Sequence, residues 1–419
     1  MTEVAVAAPE RFWTRQRRAG AGLTAAGVVA AALFGALATG EPASFTLAET
    51  TTGTAVSVPG RLGALGFALV AVLAGAALWS PIGERWFRWL LGAGLVAVVG
   101  SFLCWQLSAS TAHVMPLGNV LRSSVIFALP LLFGGLAGVI GERSGVINIA
   151  IEGQFIMGAF AAAMVATLAA SVWVGIAAAA AAGMLIAGLL ALLAIRYLVD
   201  QIVVGVVLIV FALGLTGFLF EQLMARDPSR YNQPDRVPTW EVPGLSEIPL
   251  LGPVLFRGNI FVYLALALVV LLYFGLFRTR WGLRTRAVGE HPAAADTVGV
   301  RVNLLRYRNM LLAGAVAGVG GAYFTLLATT NFNKGMTSGL GFIALAAMIF
   351  GRWHPVGVLL AALFFGFSRS LSVYLGTIGS PIPSQFLNML PYIATIIAVA
   401  GLVGHVRPPA AGGQPYVKG

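Results

Sequence analysis

One cysteine, Cys104, stands in 419 residues. A single thiol excludes an intrachain disulfide and any cysteine-based metal cluster. The four histidines (His113, His291, His354 and His405) are scattered, without a ligand spacing such as His-Glu-x-x-His. No metal site is expected. The only lysines are Lys334 and Lys418, and neither closes a Gly-x-x-x-x-Gly-Lys loop, so the chain lacks that device for cradling nucleotide phosphates. There is no Gly-x-Ser-x-Gly elbow and no convincing Ser/His/Asp arrangement, so no catalytic residue is expected. Charge is thin: 10% of residues, against about a quarter in soluble globular chains. That excludes the soluble class.

What fills the chain instead is apolar. Hydrophobic residues make up 58%, the mean hydropathy is +0.89, and apolar stretches of about 18 residues or more recur, each long enough to span a membrane. The fold class is therefore an all-α polytopic membrane protein; a barrel would show short alternating segments instead. Candidate spans cover 19–39, 61–80, 87–107, 118–140, 146–168, 172–195, 202–222, 259–277, 309–330, 337–350, 355–375 and 388–404. Those at 146–168 and 337–350 carry polar residues and glycine, and the second is short. They read as candidates for broken or re-entrant helices, which survive only when enclosed by protein or a cavity. Ten to twelve spans are expected. The first run is longer than a secretory signal core and is read as a span.

The net charge of +11 is nearly all arginine, placed between apolar runs. That is orientation information rather than a nucleic-acid groove, and no nucleic acid is expected. Arg11, Arg15, Arg17 and Arg18 put the N-terminal tail in the cytoplasm. Residues 41–60 and 108–117 carry no Lys or Arg and 223–258 follows the alternation, so all three face outside. Arg85, Arg88, Arg143, Arg196, the Arg-rich 278–308, Arg352 and Arg407 face inside. Both termini are then cytoplasmic.

Two polar clusters interrupt apolar surroundings. In GERSGVINIAIEGQFIMGAF (141–160), Asn148 and Glu152 are four apart and would share one helix face. In 331–355, Asn331, Asn333, Lys334, Thr337 and Ser338 precede an apolar helix. Polar residues inside a membrane are expensive and point to function, and interrupted segments in the two halves of a chain point to a transport path. The plainer alternative pairs Glu152 with Arg143 or has it cap backbone donors near a helix start. Gly134 with Gly138, and Gly314 with Gly318, have the small-xxx-small spacing of close helix packing. In 278–308, Pro292 can open a short helix and Gly299 can end it. The proline-rich 223–258 is either a stiff connector or an outer docking surface.

The stretches GERSGVINIAIEGQFIMGAF, RAVGEHPAAADTVGVRVNLLRYRNMLLAGAVAGVGGAYF and FNKGMTSGLGFIALAAMIFGRWHPVGVLLAALFFGF resemble the permease subunits of bacterial ABC importers. The family is that of branched-chain amino acid, ribose and nucleoside permeases, and the closest likeness is to its nucleoside or simple-sugar branch. The resemblance covers roughly residues 115–404. It implies a type II-like importer architecture in the bacterial inner membrane, with an N-terminal extension of about three spans over 1–110, a permease core over 111–405 and a cytoplasmic tail over 406–419. It implies that ATP is hydrolysed by a separate cytoplasmic ATP-binding subunit and that this chain binds no cofactor. The other partners it implies are a second, related permease chain and an extracytoplasmic substrate-binding lipoprotein, all set in membrane lipid. Gly289, Glu290, Pro292, Ala294, Ala295, Asp296 and Gly299 match the loop that couples such a permease to its ATPase. Asn148, Glu152, Asn331, Asn333, Lys334, Thr337 and Ser338 become candidates for the translocation path. The expected cargo is a nucleoside, with a simple sugar next. The rival readings are an ion-coupled secondary transporter using Glu152 or Asp200, a membrane enzyme, and a membrane scaffold.

Overall fold

The computed structural model describes residues 13–51, 54–248, 250–389, 392 and 407–418. Among them, ten helices are long and apolar enough to cross a membrane: Arg15–Gly35, Gly60–Ala77, Glu84–Ala109, Leu117–Glu142, Ile151–Ala169, Val172–Arg196, Gln201–Met224, Ile260–Arg278, Val302–Ala328 and Pro355–Thr377. An eleventh apolar helix, Leu340–Phe350, is short. The span expected over 388–404 lies outside the described residues except at 388, 389 and 392. Two small sheets add to the helices. Strands Pro42–Thr46 and Ala55–Pro59 pair antiparallel, with Val114–Pro116 parallel to the first. Strands Thr239–Glu241 and Arg257–Asn259 form an antiparallel pair.

Two helix starts lie furthest from the sequence reading. The span expected from residue 146 becomes helical only at Ile151. Gly145 turns the chain with φ +88°, and the Ile147 amide then donates to Gln201 Oε1 at 2.7 Å instead of to a helical carbonyl. Residues 146–150 therefore run non-helically into the protein. The span expected from 309 instead begins at Val302. Arg306, which read as a loop residue, and Asn309, the first residue of the expected span, are buried, and each is held by hydrogen bonds. Arg306 Nε donates to Ser144 O at 3.1 Å, and Asn309 bonds Thr285 and Trp281 at 3.1 and 3.0 Å.

The described residues of 1–120 and 371–404 form one compact unit, and those of 121–370 and 405–419 another. In the first, Arg15–Gly35, Gly60–Ala77 and Glu84–Ala109 approach through small residues. A Cβ on Gly20 would lie 2.8 Å from Gly75 O, and one on Gly27 2.8 Å from Val72 N. Ser101 Oγ donates to Ala64 O at 2.8 Å and so closes its own donor inside the helix contact.

The second unit has a core of aromatic and small side chains, among them Phe133, Phe155, Ala159, Phe261 and Ala317. Helices Ile151–Ala169, Val172–Ala191 and Val302–Tyr323 meet closely at glycines that leave no room for a side chain. A Cβ on Gly183 would lie 2.1 Å from Gly314 O, one on Gly318 2.0 Å from Ala179 O, and one on Gly321 2.3 Å from Phe155 O. Lipid gives no hydrophobic drive for helices to associate, so close packing must supply it. The Gly314/Gly318 pattern is thus used within the chain. Gly134 and Gly138 make room for the short helix: their added Cβ atoms would meet Ala344 Cβ and Met348 Sδ, each at 2.6 Å.

Because the obstacle at Gly318 is backbone, Gly318→Ala must push two helices apart. We expect a loss of about 1–3 kcal/mol, the usual range for overpacking, read as a lower midpoint of thermal unfolding in detergent. An unchanged midpoint would refute this packing.

Candidate functional site

The interrupted segments meet at Glu152. The short helix Leu340–Phe350 has 11 residues, about 16 Å at 1.5 Å per residue, roughly half of a hydrocarbon core of about 30 Å. Its N-terminus presents backbone N–H groups that have no helical partner. Glu152, 4% exposed, lies at the start of Ile151–Ala169 and takes up these donors. Its Oε1 accepts from Gly339 N at 2.8 Å and Thr337 Oγ1 at 2.6 Å, and its Oε2 accepts from Gly341 N at 2.7 Å. A carboxylate at a helix N-terminus also meets the positive end of the helix dipole. Three charge-assisted bonds offset the desolvation that an unpaired buried acid would suffer. The contact is tight enough to demand glycine: a Cβ on Gly341 would lie 2.6 Å from both Glu152 Cα and N. Glu152 thus caps backbone donors, but those of the second interrupted segment.

Asn148 does not join it. Residues 148–150 are not helical, so the expected shared face with Glu152 does not exist. Asn148 instead exchanges two amide hydrogen bonds with Gln154, at 3.1 and 3.0 Å, and both side chains are fully buried.

The other polar candidates lie on the loop that leads to the short helix. Asn331, Asn333, Lys334 and Ser338 are exposed, whereas Thr337 is buried against Glu152. Asn333 Nδ2 donates to Asn331 Oδ1 at 3.1 Å. Lys334 pairs with Glu221 and stands over the Phe220 ring. The segment 223–258 holds this loop in place. Asn232 and the Phe332 backbone bond each other twice, at 3.0 and 2.6 Å. The Arg236 guanidinium donates to Leu327 O at 3.0 and 3.2 Å.

The C-terminal end of the short helix is held by residues just before those that hold its N-terminal end. Arg143 donates to Trp353 O at 3.0 Å and to Arg352 O at 3.4 Å, which suits a cation near a helix C-terminus. Trp353 Nε1 donates to Glu142 Oε2 at 2.6 Å. Residues 142–152 therefore clamp both ends of Leu340–Phe350. Burial lowers the pKa of the Arg143 guanidinium; Glu290 opposes that shift and Arg286 adds to it.

The segment 289–299 sits against the same clamp. Pro292–Thr297 is a helix of six residues with Pro292 in its first turn, and His291 Nδ1 accepts from Ala294 N. Gly299 ends it at φ +83°. Gly289 is buried on Arg143 O, which an added Cβ would approach to 2.2 Å. Ala295 packs with Val288 and Val302. Pro292 and Asp296 are half-buried, while Glu290, Ala294 and Gly299 are exposed, with Val298 beside them 79% exposed.

Sequence reasoning did not find Gln154, Trp353, Glu142, Asn232 or Arg306. Only Arg306 left a usable signal: it shares the helical spacing of Val302, Met310, Ala313 and Ala317, the buried face of its helix.

The family described as branched-chain amino acid transport system / permease component matches residues 120–412. The chain is 40% identical over 319 residues to the guanosine ABC transporter permease protein NupQ of Bacillus subtilis, covering 73% of this chain and 98% of that one. It is 38% identical over 308 residues to the nucleoside ABC transporter permease protein NupC of Lactococcus lactis, covering 71% and 96%. It is 33% identical over 302 residues to the putative glucose ABC transporter permease protein TsgC13 of Haloferax volcanii, covering 67% and 91%. No solved structure matches the chain.

Proposed function

The chain belongs to the permease component family of branched-chain amino acid transport systems, and from that premise we propose that it is the membrane-spanning permease subunit of an ATP-driven importer for nucleosides. Relatives named for guanosine and nucleosides support nucleoside ahead of sugar. We assign both termini to the cytoplasm, residues 289–299 to the surface that meets a cytoplasmic ATP-binding subunit, and 223–258 to the surface that meets an extracytoplasmic substrate-binding lipoprotein. A second, related permease chain completes the pathway. Residues 1–110 are a module added before the permease core in the sequence.

The observation that carries this reading is the clamp. Gly289 rests on Arg143, Arg143 holds one end of the short helix, and Glu152 holds the other. A displacement of 289–299 therefore has a continuous packed route to a helix that ends inside the membrane. The energy comes from partners whose affinity differs between the two permease states. Asn331, Asn333, Lys334 and Ser338, exposed on the approach to that helix, are the residues we assign to the path; Asn148, Glu152 and Thr337 hold its scaffold. The ion-coupled alternative needs an acid free to bind and release a cation. Glu152 already accepts three hydrogen bonds, and Asp200 accepts from Ile202 N and Val203 N at a helix start.

The test is co-purification of the tagged chain in mild detergent from its native membranes, followed by uptake assays. We expect a P-loop ATPase, a second permease and a lipoprotein to co-purify. In vesicles holding the complex and ATP, labelled guanosine should accumulate, with other nucleosides competing and glucose not. A chain that purifies alone and carries solute on an ion gradient without ATP would refute the reading.

A further inference from the structure

The six-residue helix Pro292–Thr297 is too short to be stable by itself, and it buries only Ala295. A lever must be stiff to pass on a displacement, so its stiffness has to come from neighbours. Residues 407–418 supply it. Ala411 N donates to Gly289 O at 2.9 Å, and Ala410 N to Glu290 Oε2 at 3.4 Å. Tyr416 packs on the cluster of Val288, Ala295 and Val302, and Ala295 belongs to the short helix itself. The same segment is fastened to the turn beside the clamp: Gly413 N donates to Gly145 O at 3.3 Å, and Arg306 Nη1 donates to Gln414 O at 3.1 Å. Arg306 is 1% exposed, and its Nη2 has no hydrogen-bond partner among the described residues. The buried guanidinium thus relies on two backbone carbonyls, Ser144 O and Gln414 O, and losing either is costly.

We infer that residues 407–418 are a strap that bolts the 289–299 segment to the 142–147 turn, and that the strap positions this segment for energy coupling. The inference rests on the importer reading above. It makes Ala411, Gln414 and Tyr416 positioning residues: they touch neither solute nor nucleotide and act through the lever.

The strap's bonds are mostly backbone bonds, so Ala411→Pro removes one donor without adding charge. Tyr416→Ala removes the packing from the outside and leaves the buried core alone. Each variant is compared with the unaltered complex in vesicles for assembly with the ATPase, ATP hydrolysis and solute taken up per ATP. We expect assembly and basal hydrolysis to stay within about twofold, while solute moved per ATP falls about tenfold. Unchanged solute per ATP in both variants would overturn the strap. So would a parallel fall of assembly, hydrolysis and uptake, which is the mark of a purely structural tail. If the unaltered complex itself shows no ATP-driven uptake, the importer reading fails and the strap falls with it; that outcome is seen before any variant is made.

Discussion

Glu152→Gln is expected to destabilise the permease by about 2–4 kcal/mol and to cut uptake by about tenfold or more. The substitution keeps the size of the side chain but turns one acceptor oxygen into a donor. Both oxygens face donors here, with Thr337 Oγ1 and Gly339 N on one and Gly341 N on the other. One N–H2 group must then point at an N–H, and the remaining bonds lose the charge that strengthened them; a buried donor left unsatisfied costs about 1–3 kcal/mol alone. Each 1.4 kcal/mol is about a tenfold change in population, so the short helix spends far less time in place. The measurements are the midpoint of thermal unfolding of the purified complex and the rate of ATP-driven guanosine uptake. Asn333→Ala run in parallel separates the two roles, because Asn333 is exposed and its side chain donates to that of nearby Asn331. It should alter the KM for solute and leave the midpoint alone. A Glu152→Gln complex with the normal midpoint and normal uptake would remove Glu152 from the mechanism.

Gly289→Val is expected to uncouple the machine. The obstacle to its Cβ is the Arg143 carbonyl at 2.2 Å, which is backbone and cannot rotate away. Reaching ordinary contact requires a shift of about 1 Å between the 289–299 segment and the clamp, and packed interfaces do not absorb such shifts smoothly. Solute moved per ATP should fall about tenfold, with the ATPase still bound. Ala293→Val, on an exposed position of the same loop, is the control for side-chain bulk alone. Equal effects of the two substitutions would show that the Gly289–Arg143 contact is not the route.

Among the described residues, the spans were readable from hydropathy because each is an apolar run with arginine or proline near an end. Glu152, Thr337 and the 289–299 segment were readable for a different reason: polar residues and proline stand out in an apolar chain. Their partners were not readable. Thr337 meets Glu152 across 185 positions, and no periodicity reports a contact at that distance. The helical pairing of Asn148 with Glu152 failed because Gln201 takes the Ile147 amide, again a long-range bond that outweighs local preference. Arg306 was misplaced because arginine near an apolar run is usually an interface residue. Here two distant carbonyls, Ser144 O and Gln414 O, make its burial tolerable.

The carboxylate at the head of the short helix also bears on what the path refuses. Half-helix N-termini near the middle of the bilayer are where many transporters catch an anionic group of their cargo. In this chain the positive pole is already neutralised by Glu152, and its N–H groups are occupied. A phosphate arriving there would meet a like charge and no free donors. A neutral nucleoside suffers no such penalty, whereas its 5′-phosphate does. The same cap that stiffens the helix therefore leaves its positive end without a free donor for an anionic group.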